Sequence, residues 1–158
     1  MKVLPKIFIV EDDVFYANLL KKEIIKNRLG NVETYYTGED FFDNLYKMPD
    51  MVLLDHNLGG MNGVAVLKKI KAISPKVQVI FLSAQEKIHV AITSLKFGAF
   101  DYVEKNKTAF RRIKALIRRI GKFNQIAEEN KQFNIVKTGL LIILTSIISI
   151  AVYLQLFH

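Results

Sequence analysis

Twenty consecutive residues, 138–157 (TGLLIILTSIISIAVYLQLF), carry no charged side chain, and no other feature of the 158-residue chain constrains it as much. At ~1.5 Å per residue such a helix would be about 30 Å long, the thickness of a bilayer's hydrocarbon core. A helix on a water-soluble protein keeps a charged or strongly polar face, which this stretch lacks. It is therefore expected to span a membrane once. Burial of the same helix in a dimer is the competing reading. Thr145 and Ser149, four residues apart, would suit a small-residue helix contact.

The formal charge of +8 invites a nucleic-acid reading, so its location matters. Residues 1–105 hold 14 Lys and Arg against 13 Asp and Glu, whereas residues 106–158 hold 9 against 2. The excess forms a collar ahead of the apolar segment, made of Lys107, Arg111, Arg112, Lys114, Arg118, Arg119, Lys122, Lys131 and Lys137. Basic residues beside a span favour the cytoplasmic side. The expectation is a single-pass, tail-anchored protein of the inner (cell) membrane with its N-terminal part in the cytoplasm. Anionic lipid is then a simpler partner for the collar than nucleic acid, which is not expected. The absence of cysteine removes disulfides, thiolate catalysis and cysteine zinc sites, and residues 1–10 do not resemble a signal peptide.

Upstream of residue 105, short apolar runs alternate with amphipathic stretches, the pattern of repeated βα units that build a parallel sheet. Residues 6–10 (KIFIV), 32–36, 51–55 (MVLLD), 77–82 (VQVIFL) and 100–103 predict five strands. Helices are predicted near 13–28, 39–47, 62–73, 86–96 and from about 107 onward. The last has no evident stop, because Ile113, Leu116, Ile117, Ile120, Phe123, Ile126 and Phe133 recur at helical spacing. Gly121 and Glu128-Glu129-Asn130 weaken its middle and leave a break there open. Its heptad signal is too short and too interrupted by Asn124 and Asn130 to claim a coiled coil. The expected partition is a domain over 1–120, a basic juxtamembrane helix or linker over 121–137, and a transmembrane helix over 138–157.

Ligands of a parallel α/β sheet sit beyond the carboxyl ends of its strands. Glu11, Asp12 and Asp13 follow the first predicted strand, and Asp55 closes the third. Carboxylates crowded at one edge repel one another unless a divalent cation or a proton offsets them, and oxygen-only ligands favour Mg²⁺. His56 adjoins Asp55, but successive strand residues point to opposite faces, which makes it a neighbour and not a ligand. The fourth strand ends at Ser83-Ala84, and Lys105 follows the fifth. A hydroxyl and an ammonium converging on a carboxylate and a metal suit the outer oxygens of a phosphoryl group. Each residue alone would pass for ordinary strand-end polarity; four at four strand ends would not.

The segments IVEDD (9–13), LLDHNLGGMNG (53–63), FLSA (81–84) and GAFDYVEK (98–105) make residues 5–120 resemble the receiver domain of bacterial two-component response regulators. That resemblance implies the flavodoxin-like (βα)5 fold of the CheY type, a doubly wound α/β parallel sheet. It implies that Asp55 is the phosphoacceptor, served by a phosphohistidine on a sensor histidine kinase or a phosphotransfer protein. It further implies Mg²⁺ held by Asp12, Asp55 and the backbone carbonyl of Asn57, with Glu11 acting mainly through water. Asp13, a helix N-terminal acid, is not counted as a ligand. Ser83 would hydrogen-bond the bound phosphoryl group, Lys105 would pair with it, and Tyr102 matches the switch aromatic whose ring moves inward. Two positions depart from the family. Asn106 stands where a proline normally follows the lysine in a cis peptide, so a trans bond and a less rigidly aimed lysine are expected. Gly59 replaces a common proline after Leu58 and should loosen that loop.

The expected function is phosphorylation-dependent signalling by contact with an unknown downstream protein at the membrane. No enzymatic activity is expected beyond the domain's own phosphotransfer and dephosphorylation, and dimerisation is left open. Two alternatives stand beside it. A degenerate receiver acting as a membrane-bound scaffold fits poorly with every reactive position being filled. A Mg²⁺-dependent phosphohydrolase resembling the haloacid dehalogenase family would need an acid two residues after the nucleophile, where this chain has Asn57.

Overall fold

A computed structural model describes residues 4–84 and 88–156. Strands β1 (Lys6–Val10), β2 (Asn31–Tyr35), β3 (Met51–Asp55), β4 (Gln78–Ser83) and β5 (Asp101–Glu104) pair in parallel in the order β2-β1-β3-β4-β5. Helices α1 (Val14–Lys26), α2 (Gly38–Asp43), α3 (Gly63–Ile73) and α4 (Ile88–Lys96) alternate with them, and α5 (Ala109–Leu156) follows β5. This is the flavodoxin-like sheet, whose strand order reverses between β1 and β3 and so opens a crevice at their carboxyl ends.

The three central strands β1, β3 and β4 are largely apolar because helices cover both faces, and all five residues of β3 are buried. Alternation along each strand divides the core in two. Ile7, Ile9, Leu53, Leu82 and Val103 pack against Leu20 of α1 and Ile113 and Ile117 of α5. Phe8, Val10, Leu54 and Phe81 face the other way, onto Phe41 of α2, Leu67 of α3 and Val90 of α4.

Side-chain caps start three of the helices. Asp13 accepts from the Tyr16 N–H at 3.0 Å, Thr37 from Asp40 at 3.1 Å, and Asn62 from Val64 at 2.8 Å. Gly98, at φ +91, ends α4: its N–H donates to Leu95 and that of Ala99 to Ser94, both at 3.0 Å.

Three strands sit one residue from their predicted places, β2 earlier and β4 and β5 later. Pairing sets these limits; at the head of β2, the Asn31 N–H donates to the Pro5 carbonyl at 2.8 Å. The helix predicted at 39–47 splits into α2 and a 3-10 turn at Leu45–Lys47. Asn44 ends α2, its amide donating back to the Asp40 carbonyl at 2.9 Å. The first two residues of the helix predicted at 86–96 lie outside the described residues. The break left open near 121–130 does not occur. Gly121 costs an exposed helix about 1 kcal/mol without stopping it, and Gln125 donates to Glu129 one turn on at 2.8 Å.

By internal packing the chain forms one unit ending at Ile120 and another beginning at Gly121. The second is helical and largely exposed through Leu156. It holds an 18-residue window of mean hydropathy 2.3 with none of it buried, apolar enough to cross a membrane.

Candidate phosphoacceptor site

The ends of β1, β3 and β5 bring Glu11, Asp55 and Lys105 together. Lys105 Nζ lies 2.7 Å from Asp55 Oδ1 and 2.7 Å from Glu11 Oε2, and donates to Glu11 Oε1 at 2.8 Å. Glu11 is 1% and Asp55 4% exposed, so two buried carboxylates share one ammonium. Asp55 Oδ2 accepts the Asn57 N–H at 3.0 Å, which fixes the carboxylate plane from the β3–α3 loop. That loop folds back through a bridge between Asn57 and Asn62. Gly63 then passes so close that a Cβ there would overlap the Asp55 carbonyl oxygen.

Burial drives the electrostatics. It pushes the Glu11 carboxyl up to about 7, with the nearby Asp55 charge adding to the rise and the Lys105 hydrogen bond opposing it. Burial also works against the Lys105 charge, but its bonds to Asp55 and Glu11 prevail and hold its pKa above the usual value. One oxygen each of Glu11, Asp12 and Asp55 lies within 4.8 Å of the other two, and Asp12 is exposed. Three carboxylates against one ammonium leave a surplus of negative charge on hard oxygen donors, open to solvent on the Asp12 side. That donor set fits Mg²⁺.

The Lys105–Asn106 peptide is trans, like every peptide among the described residues. The expected looseness of the lysine does not follow from it. The Lys105 N–H donates to the Ser83 carbonyl at 2.8 Å, and the Asn106 side chain accepts from both the N–H and the hydroxyl of Thr108 at 2.9 and 2.8 Å. Those bonds tie down the backbone on either side of the lysine without a proline ring.

Asp55 pairs in register with Leu82 and so faces the layer of α1 and α5. Ser83 comes one residue later in β4, on the opposite parity, and is 1% exposed. Tyr102 pairs with Phe81 and packs, partly buried, into the layer of α2, α3 and α4. His56 lies on that side too, its ring centred 5.8 Å from that of Phe81, away from the acidic cluster. Asp13 is occupied as the cap of α1.

Sequence reasoning missed Tyr16. Lys105 Nζ stands 4.7 Å from the centre of the Tyr16 ring, which is itself 5.9 Å from Phe110 of α5. The Tyr16 hydroxyl is buried without a hydrogen-bond partner among the described residues. Burial, followed by the charges of Glu11 and Asp55, pushes its pKa up to about 12. A signal was available: Tyr16 shares a helical face with the core residues Leu20 and Ile24, one turn beyond the acidic cluster, so its ring had to lie beside the strand ends.

The family model described as "Response regulator receiver domain" matches residues 7–118. The transcriptional regulatory protein ZraR of Salmonella typhimurium is 34% identical over 100 residues, 63% of this chain and 22% of that protein. The DNA-binding transcriptional regulator NtrC of Klebsiella pneumoniae is 34% identical over 99 residues, 62% and 21% of the two chains. The chain thus spans about a fifth of the length of these curated relatives. Among solved structures, the BeF3-activated receiver domain of DrrB, from Thermotoga maritima, is similar at a TM-score of 0.68 and 28% identity, over 75% of this chain and 97% of that one. The receiver domain of NtrX from Brucella abortus gives 0.66 and 27%, over 73% and 98%. The fold, the strand-end cluster and the family match agree, and the chain belongs to the response regulator receiver domain family.

Proposed function

We propose that this chain is a phosphorylation-dependent response regulator that takes a phosphoryl group onto Asp55 from a histidine kinase or phosphotransfer protein. The observation that carries the reading is Lys105 Nζ held 2.7 Å from both Asp55 and Glu11, beside the exposed carboxylate of Asp12. Receiver domains interact with such kinases and carriers, and they typically bind Mg²⁺ through an acidic pocket like this one. Here Asp12, Asp55 and the Asn57 carbonyl would hold the ion directly, with Glu11 acting through water. Bound Mg²⁺ would supply positive charge against the phosphoryl oxygens.

In the transfer, an Asp55 oxygen forms a bond to phosphorus as the bond to the donor imidazole nitrogen breaks. Lys105 trades part of its carboxylate contact for a phosphoryl oxygen, and the Ser83 hydroxyl donates to another. Ser83 shares its sheet face with Tyr102, so its shift carries the change into the α4–β5 side. The domain catalyses this transfer and the later hydrolysis of its own aspartyl phosphate, in which water attacks phosphorus, the bond to Asp55 breaks and inorganic phosphate leaves; it turns over no separate substrate.

In this reading the apolar helix anchors the chain in the membrane and the receiver lies in the cytoplasm. Support comes from the unburied window of mean hydropathy 2.3 and from the 9 Lys and Arg against 2 acids beyond residue 105. Output is then contact with another protein at the membrane. Incubation with acetyl phosphate and Mg²⁺ should add one phosphoryl group to the protein and none to Asp55→Asn. Equal labelling of the two would overturn the assignment.

A further inference from the structure

We propose that the helix beyond Gly121 is a parallel two-stranded seam whose partner is a second copy of this chain, an inference that rests on the membrane reading only for its parallel sense. Because α5 is unbroken, a seven-residue repeat that is fragmentary by eye stays in phase along the helix. Every seventh residue from Ile126 is large and apolar: Ile126, Phe133, Leu140, Ile147 and Leu154. Three residues before each come Phe123, Asn130, Lys137, Leu144 and Ala151. The first set is exposed to between 44% and 68%, so the stripe has no partner among the described residues.

A period of 3.5 residues holds a stripe in line only when two helices supercoil around it. Lipid alone would not require the repeat, since apolar residues in any order suit a bilayer. Yet it continues without slipping from the polar stretch, where Gln125 and Glu129 satisfy each other on the outer face, into the charge-free one. The other helices among the described residues have 13 residues or fewer and turn their apolar sides into the two halves of the core. A matching repeat is therefore found on another copy of α5, and two copies inserted in the same orientation run parallel.

Parallel pairing sets Asn130 against its counterpart, where an amide pair favours two strands and fixes the register. Lys137 comes where the charges end, so its stem can line the seam while its ammonium reaches the headgroups. The seam holds seven Phe, Leu and Ile side chains per helix. At roughly 100 Å² apiece they approach the roughly 800 Å² per partner of a standard stable interface.

The chain has no cysteine, so single cysteines report the seam directly. Full-length Ile126→Cys, Phe133→Cys and Ala151→Cys, oxidised in native membranes, should form disulfide-linked dimers. Glu128→Cys and Gln132→Cys, on the outer face, should do so at least fivefold less. Ala151→Cys removes no packing volume, so a failure there cannot be blamed on a damaged seam. Equal crosslinking at all five sites, or none at the three seam sites, overturns the proposal. Carbonate washing of the same samples separates the two readings. Seam crosslinks in the washed supernatant keep the dimer and discard the membrane anchor; pelleted protein without them does the opposite.

Discussion

The ammonium of Lys105 is gripped from two sides, by the carboxylates of Glu11 and Asp55 and by the ring of Tyr16 4.7 Å away. A partly desolvated cation over an aromatic face gains about 1 kcal/mol, enough to bias a flexible four-carbon stem. Tyr16→Leu should therefore slow phosphorylation by a small donor by about fivefold, while Tyr16→Phe stays close to wild type. Initial rates of acetyl phosphate labelling check this. A Phe variant as slow as the Leu variant would show that the hydroxyl matters and the ring face does not.

Metal affinity should rank the two acids after β1. Asp12→Ala removes an anionic ligand on the solvent side, whereas Glu11→Gln keeps a group able to hold a water. We expect losses on the order of 100-fold and 10-fold respectively. Tyrosine fluorescence during Mg²⁺ titration gives both constants, and equal values would refute the ranking.

The raised Glu11 carboxyl predicts how the metal-free protein responds to pH. Its folded pKa of about 7 stands above the ordinary 4.5, so the folded state holds the proton more tightly than the unfolded one. That contribution to stability is complete below about 4.5 and is lost as pH rises through about 7. Melting in the presence of a chelator should show wild type losing ground to Glu11→Gln across this window. Parallel curves for the two would mean the carboxyl is not protonated in the fold.

Gly63 has no room for a side chain. A Cβ would overlap the Asp55 carbonyl oxygen and come within 3.0 Å of the His56 backbone. Gly63→Ala should cost about 2 kcal/mol in urea unfolding and slow phosphorylation by displacing Asp55. Gly60→Ala, whose Cβ would come no nearer than 4.0 Å to Glu39, should change stability by less than about 0.5 kcal/mol. Similar losses at both positions would point to a general weakness of the loop.

Carbonate extraction addresses the apolar helix. Full-length protein should remain in the membrane pellet, and a chain cut after Lys137 should not. Recovery of both in the supernatant would remove the membrane from the picture.

The sheet and the four strand-end groups were legible in the sequence because both follow from local rules. Apolar runs bounded by Gly and Pro mark buried parallel strands, and the residue after each run falls at the carboxyl edge. Strand limits were less legible, since Asn31 and Ser83 join their strands through hydrogen bonds to neighbours that no local pattern reveals. Tyr16 was missed for a similar reason. Its spacing to Leu20 and Ile24 spells a core face, and only the fold shows that the first turn of that face overlooks Lys105. At Gly121 and Glu128-Glu129-Asn130, modest helix propensities suggested a break where none forms, because a penalty of about 1 kcal/mol is small within a helix of 48 residues.

The two residues proposed to hold one phosphoryl group end their strands on opposite parities, Asp55 on one and Ser83 on the other. Removing a single residue within Gln78–Ser83 would leave the composition almost untouched, yet it would turn the serine to the wrong side. The site is therefore spelled in an even-and-odd count as much as in residue names. Two chains carrying the same short motifs, but with one strand longer or shorter by a residue, would not be equivalent switches.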